Sequence, residues 1–193
     1  MSSNYDLHRG GTEVFWGEIA PCEHLVQIYE NEGVFLDTLE GFVSGGLKAG
    51  DSVILIATVT HLNALEGRLK ANGLDVEAAR RQDQYISLVA QEALAKFMVQ
   101  DWPDDELFLQ FVSDLLTRAR RGGRKVRAFG EMVAVLWAQG ATGATVRLEH
   151  LWQAMCQSEG FSLFCAYPKV GFTQNVVESI NEICAAHTKV LPS

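Results

Sequence analysis

Four residues have side chains suited to acid–base, nucleophilic or metal chemistry and sit beside apolar sequence: His24, His61, Glu131 and Cys165. The stretch RAFGEMVAVLW (127–137) reads as a buried strand that stops at Gly130 and is followed by an apolar helix, with Glu131 at the junction. Paired with His61, Glu131 would make a general acid–base couple, provided the two groups come within about 3 Å of each other. With His24 and Cys165 added, the same residues offer imidazole, carboxylate and thiolate ligands to a metal or a haem iron. Their spacing carries no signature of the H-E-x-x-H or C-x-x-C kind. Plainer roles stand beside these. Glu131 can cap a helix, His61 can be a solvated helix end, His24 can be a hydrogen-bonded structural histidine, and Cys165 and Trp152 can be packing. There is no G-x-S-x-G elbow and no ordered Cys–His signature, so turnover and a bound cofactor are not expected.

The elements that must position these residues alternate between strand and helix. HLVQIY (24–29), SVILIATV (52–59), YISLVA (85–90), KVRAFGE (125–131) and FSLFCAYP (161–168) read as strands, the second apolar throughout and so covered on both faces. Between them lie helical patterns. GVFLDTLEGFVSGGL (33–47) is stopped by Gly45 and Gly46, and HLNALEGRLKANG (61–73) ends at Gly73. A short QEALAKFMV segment comes next, followed by WPDDELFLQFVSDLLTRARRGG (102–123) and ATVRLEHLWQAMCQS (144–158). In the 102–123 helix Asp104, Asp105 and Glu106 crowd the start and arginines the end, as the helix dipole favours. A last helix is expected over 173–187, where Val176, Val177, Ile180 and Ile183 form a stripe that offers a route to a homodimer. This alternation predicts an α/β, three-layer domain with a mostly parallel five-stranded sheet. Its boundaries are an N-terminal arm over 1–21, anchored by Phe15 and Trp16, a single domain over 22–187, and a tail over 188–193.

In such sheets ligands bind beyond the carboxyl ends of the strands. That edge collects Tyr29, Thr58, His61, Glu131, Met132, Cys165 and Tyr167. The turn after the first strand, YENEG, carries Glu30 and Glu32 and no lysine, so it would repel a triphosphate instead of cradling it. Nucleic acid is excluded as a direct partner by a net charge of −8. The local exception is RARRGGRKVR (118–127), where Arg118, Arg120, Arg121 and Arg124 end a helix or form a docking patch for an acidic partner. No apolar run reaches the roughly 20 residues of a membrane span, and no export signal is visible. Four cysteines without C-x-x-C pairing fit a reducing, cytoplasmic setting.

Taken in order, HLVQIY (24–29), GLKAGDSVILIATVTH (46–61), LKANGLDVE (69–77), FGEMVAVLW (129–137), LEHLW (148–152) and FSLFCAYP (161–168) resemble the MEDS sensory domain, named for methanogens, methylotrophs and a dichloromethane-responsive regulator. The resemblance covers roughly residues 22 to 187. It implies a RecA-like fold without a phosphate-binding loop. It also implies a signalling role upstream of a histidine kinase or transcriptional regulator, with small hydrocarbon derivatives as input. His24, Tyr29, His61, Glu131, Trp152, Cys165 and Tyr167 match the family's recurrent positions, whereas TVTH departs from a turn that often holds proline. The segment ICAAHTKVLPS resembles the start of a linker into an effector, so the chain is expected to be a free-standing sensor or an input domain. The expected ligand is small and partly apolar. Tyr29, His61 and Glu131 would supply polar contacts and Met132, Trp152 and Cys165 the apolar wall, with Thr58 and Tyr167 also touching the ligand and His24 offering a further ligand contact or a metal bond. The alternative is a protein–protein interaction module that regulates a signalling partner without a small ligand.

Overall fold

The structure is a computed structural model and describes residues 16, 19–171, 183, 185 and 187–191. Its elements, in chain order, are β1 (His24–Tyr29), α1 (Glu32–Lys48), β2 (Ser52–Ala57), α2 (Val59–Ala71), α3 (Val76–Arg81), β3 (Tyr85–Val89) and α4 (Ala90–Leu94). There follow β4 (Met98–Val99), β5 (Trp102–Pro103), α5 (Asp105–Ala119), β6 (Val126–Gly130), α6 (Met132–Ala138), α7 (Thr142–Glu159), β7 (Ser162–Pro168) and β8 (Lys189–Leu191). The main sheet has six strands in the order β3-β2-β6-β7-β1-β8, and every neighbouring pair is parallel. The expected α/β architecture holds, with one strand more than expected. β8 lies in what the sequence suggested was tail, paired with Leu25–Gln27 of β1.

Strand alternation sorts the core into two layers. Leu25, Tyr29, Val53, Leu55, Phe129 and Phe164 face a layer containing Trp16 and helices α1 and α2. Val26, Ile54, Ile56, Ala128, Leu163, Cys165 and Tyr167 face a layer built from α4 to α7. The crossovers β1–α1–β2 and β2–α2–α3–β3 therefore cover one face, and those from β3 to β6 and from β6 to β7 cover the other. At neighbouring strands β2 and β6 the chain leaves for opposite faces. That divergence is a topological switch point, the place at which open α/β sheets commonly bind ligands.

Helix α1 does not stop at Gly45 and Gly46; it continues to Lys48 with both glycines buried inside it. The glycines give room where they lie. A Cβ on Gly45 would meet Trp16 Cβ at 3.0 Å, and one on Gly46 would meet the Arg127 side chain at 3.0 Å. The WP pair expected to open the next long helix instead forms a hairpin with Met98–Val99, and Asp104 caps α5 by accepting from Leu107 N at 3.0 Å. The expected helix over 173–187 and its dimer stripe lie largely outside the described residues, as does most of the expected N-terminal arm; Trp16 from that arm is buried. Among the described residues no helix is long and apolar enough to cross a membrane.

Candidate functional site

Glu131 follows the last residue of β6, and its backbone N–H donates to Ile56 O of β2 at 2.8 Å, extending the ladder by one bond. Its side chain makes no capping bond to its own helix α6. It serves the neighbouring strand end instead: Oε2 accepts from Thr58 N at 2.8 Å and Oε1 accepts from His61 Nδ1 at 2.7 Å. Thr58 is also the N-cap of α2, accepting from His61 N at 3.4 Å. The acid thus ties β6 to the start of α2 across the switch point. With Nδ1 committed, His61 presents Nε2 to Glu32 of α1, 3.4 Å from its Oε1. The hydrogen bond to Glu131 holds the His61 pKa above its ordinary value against the opposing effect of burial. Tyr29 stacks on Phe35 with ring centroids 4.5 Å apart, and Phe35 in turn meets His61 edge-on at 5.0 Å. Burial, aided by the Glu131 and Glu32 carboxylates, pushes the Tyr29 phenol upward.

The remaining predicted residues gather on the opposite face. Met132 and Trp152 belong to the layer under α6 and α7, as do Cys165 and Tyr167 of β7. Trp152 lies over Gly130, where a Cβ would come within 3.9 Å of the indole nitrogen. The structure therefore brings Tyr29, Thr58, His61 and Glu131 together and places Met132, Trp152, Cys165 and Tyr167 behind the sheet. Of the eight, Thr58 is half-buried and the other seven are buried. Two surface hollows, of about 780 and 410 Å³, lie elsewhere: one beside Trp102 and Arg147, the other beside Asp51 and Arg127.

The second group is built around Glu149 of α7. Tyr167 OH donates to Glu149 Oε1, while Oε2 lies 3.5 Å from His24 Nε2, 3.5 Å from His187 Nε2 and 3.9 Å from Cys165 Sγ. His24 Nε2 also lies 3.4 Å from Cys165 Sγ, and the two imidazole centroids are 4.0 Å apart. The outer nitrogens are engaged, His24 Nδ1 with Gln153 Oε1 at 2.7 Å and His187 Nδ1 with Ile183 O at 2.6 Å. One ligand atom from each of His24, Glu149, Cys165 and His187 falls within 4.8 Å of every other. Burial pushes Glu149 up to about 7 and His24 down to about 3, and lifts the Cys165 thiol well above its usual range.

Sequence reading had singled out His24 and Cys165 but missed Glu149, Gln153, Glu32 and His187. A signal for Glu149 was present: Thr145, Leu148, Glu149, Trp152 and Cys156 form the inward stripe of α7, with the acid in the middle of it. His187 had no such signal, because its segment read as linker. The arginines expected to end a helix or form a docking patch are engaged within the chain. Arg118 and Arg121 pair with Asp83, Arg120 with Glu159, and Arg124 binds Ser52 Oγ and Gln82 O.

A comparison with curated proteins finds no match to the chain. The family described as MEthanogen/methylotroph, DcmR Sensory domain matches residues 23–188. That span contains both buried groups, and the chain belongs to this MEDS family of sensory domains, whose role is in signalling.

Proposed function

We propose that the domain binds a small, partly apolar molecule at the β2–β6 switch point, without turnover, and relays its presence to a histidine kinase or transcriptional regulator. The observation that carries this reading is the His61–Glu131 pair. Its polarity is directed at the carboxyl ends of β2 and β6, where the chain leaves for opposite faces of the sheet, in a chain whose first turn has no phosphate cradle. Glu131 fixes the imidazole through Nδ1, so Nε2 is the atom that meets a ligand hydroxyl, carbonyl or halogen in place of Glu32. Tyr29 and Phe35 supply the apolar side. Glu32, with its side chain 59% exposed, and Thr58 form the rim through which a ligand enters. Met132, Trp152, Cys165 and Tyr167 support that floor from behind.

The relay runs through the C-terminal segment. β8 pairs with β1, and Thr188 N donates to His24 O at 2.8 Å, so a change at β1 reaches the last strand directly. A ligand shifts that attachment only if it binds one poise more tightly than the other. The test is a thermal-shift and calorimetric screen of small alcohols, aldehydes and halomethanes on the wild-type chain and on His61→Ala. Stabilisation by at least one compound, lost in the variant, is the expected result. No shift from any compound up to millimolar concentration removes the ligand reading and leaves the interaction module, for which the exposed Val99 and Trp102 of the hairpin are a better surface than the internally paired arginines.

A further inference from the structure

We propose that His24, Glu149, Cys165 and His187 form a closed, four-coordinate zinc site that fastens the C-terminal segment to the sheet. Zinc bonds of about 2.0–2.1 Å to nitrogen or oxygen and about 2.3 Å to sulfur give ligand–ligand edges of about 3.3 to 3.6 Å in a tetrahedron. The edges here are 3.4 Å (His24 to Cys165), 3.5 Å (His24 to Glu149), 3.5 Å (His187 to Glu149) and 3.9 Å (Glu149 to Cys165). All four atoms lie within 4.8 Å of one another, so the remaining two edges, both to His187, close by an inward shift of that ring.

The tautomers agree with this assignment. Ile183 O can only accept, so His187 Nδ1 carries a proton and the neutral ring turns its Nε2 lone pair inward. Gln153 Oε1 fixes His24 in the same way. Two imidazole lone pairs then face the same carboxylate oxygen. The Cys165 thiol can donate to His24 Nε2 at 3.4 Å, but His187 Nε2 is a buried nitrogen without a hydrogen-bond partner among the described residues. A cation at the centre satisfies both. The outer contacts from Gln153, Ile183 and Tyr167 are those that orient metal ligands.

Charge selects the metal. A thiolate and a carboxylate neutralise a divalent ion, so the complex is electrically neutral in a site where an uncompensated charge would be costly. Binding displaces the Cys165 thiol proton, and any proton on Glu149, to solvent as the Zn–S and Zn–O bonds form. Four protein ligands leave no open position for water, which makes the site structural or regulatory in kind. Its ligands come from β1, α7, β7 and the segment leading into β8, so occupancy governs how firmly β8 is held.

The test uses the full chain, equilibrated with zinc and desalted. Elemental analysis should give one zinc per chain. Stripping with a chelator should lower the melting temperature, and added zinc should restore it. Cobalt substitution should give a thiolate-to-cobalt charge-transfer band that disappears in Cys165→Ser. His187→Ala lies outside the central strands, and it should still unfold cooperatively while binding zinc at least tenfold more weakly in competition with a chromophoric chelator. No retained zinc in the wild type, or equal zinc content in wild type, Cys165→Ser and His187→Ala, overturns the proposal.

Discussion

Glu131 accepts one hydrogen bond from a backbone N–H and one from an imidazole, and the two belong to successive parts of the same strand-to-helix turn. Removing the acid leaves the buried imidazole N–H and the half-buried Thr58 N–H without this partner, a loss of about 2–3 kcal/mol for charge-assisted bonds. His61 makes this loss depend on pH. Its folded pKa is raised by the Glu131 bond, above an unfolded value of about 6.5. Between those two values the native state holds more protons than the unfolded one, so stability falls as pH rises through that window. The contribution is fully present below about pH 6.5 and lost above the folded pKa. Urea midpoints of wild type and His61→Gln, measured from about pH 5.5 to 9, should therefore differ most at the acid end and converge as pH rises. Glu131→Gln should abolish the convergence along with the stability. Parallel curves for wild type and His61→Gln would mean that the imidazole carries no proton-linked role.

At the scale of elements, α1 shows how far pattern reading reaches. Its apolar spacing identified a helix and most of its inward face: Leu36, Leu39, Phe42 and Val43 are buried as expected, but Val34, read as part of the same stripe, is exposed and Phe35 is buried in its place. Its glycines misled, because a glycine that ends a helix and one that admits a neighbour look alike in sequence. Gly41 is the strongest case of the second kind, since a Cβ there would stand 2.5 Å from Trp16 Nε1. Gly41→Ala should dislodge the indole, shift its fluorescence and cost about 1–3 kcal/mol, as overpacking does. Gly67→Ala on the exposed side of α2, where a Cβ meets nothing within 4 Å, should instead stabilise by about 0.5–1 kcal/mol. Equal melting temperatures for the two variants would show that Trp16 does not occupy that groove. The strands β1, β2 and β7 were legible because strands covered on both faces have few polar interruptions. The β4–β5 hairpin was not: its turn places Gln100 and Asp101 at φ of 51° and 62°, a conformation usually announced by Asn-Gly. β8 has three residues, too few for alternation to register. For the candidate site, the gathering of Glu131, His61 and Tyr29 at one sheet edge was legible from strand ends alone. The side of the sheet that each residue faces was not, because it depends on strand order.

The whole molecule separates three tasks by place. Arginines brace the amino edge, where Arg127 pairs with Asp51 at 2.8 Å and donates to Trp16 O, and Arg118, Arg120 and Arg121 hold the loops before β3 and β7. The carboxyl edge holds the His61–Glu131 pair. From Trp16 to His61 an unbroken run of rings, through Phe42, Phe164, Phe129 and Phe35, fills the layer beneath α1 at centroid spacings of 5.0 to 6.0 Å. Such a close-packed layer transmits displacement but yields little locally. The attachment of β8 is different in kind. It is an edge strand held by a short parallel ladder, by the Thr188–His24 bonds and by His187, with Lys189 and Val190 exposed. Few buried apolar contacts place it at the low-stability end of the molecule, where opening is local instead of global. Thr188→Val removes both the hydroxyl that accepts from His24 N at 2.8 Å and the bond that it donates to His24 O at 2.9 Å. Two bonds at about 1 kcal/mol each should raise amide exchange in β8 by roughly 10- to 30-fold. Exchange in β2, β6 and β7 should stay unchanged, as should the cooperative melting transition. If the variant instead loosened every strand together, β8 would be part of the global folding unit, and a signal could not pass through it without unfolding the sensor.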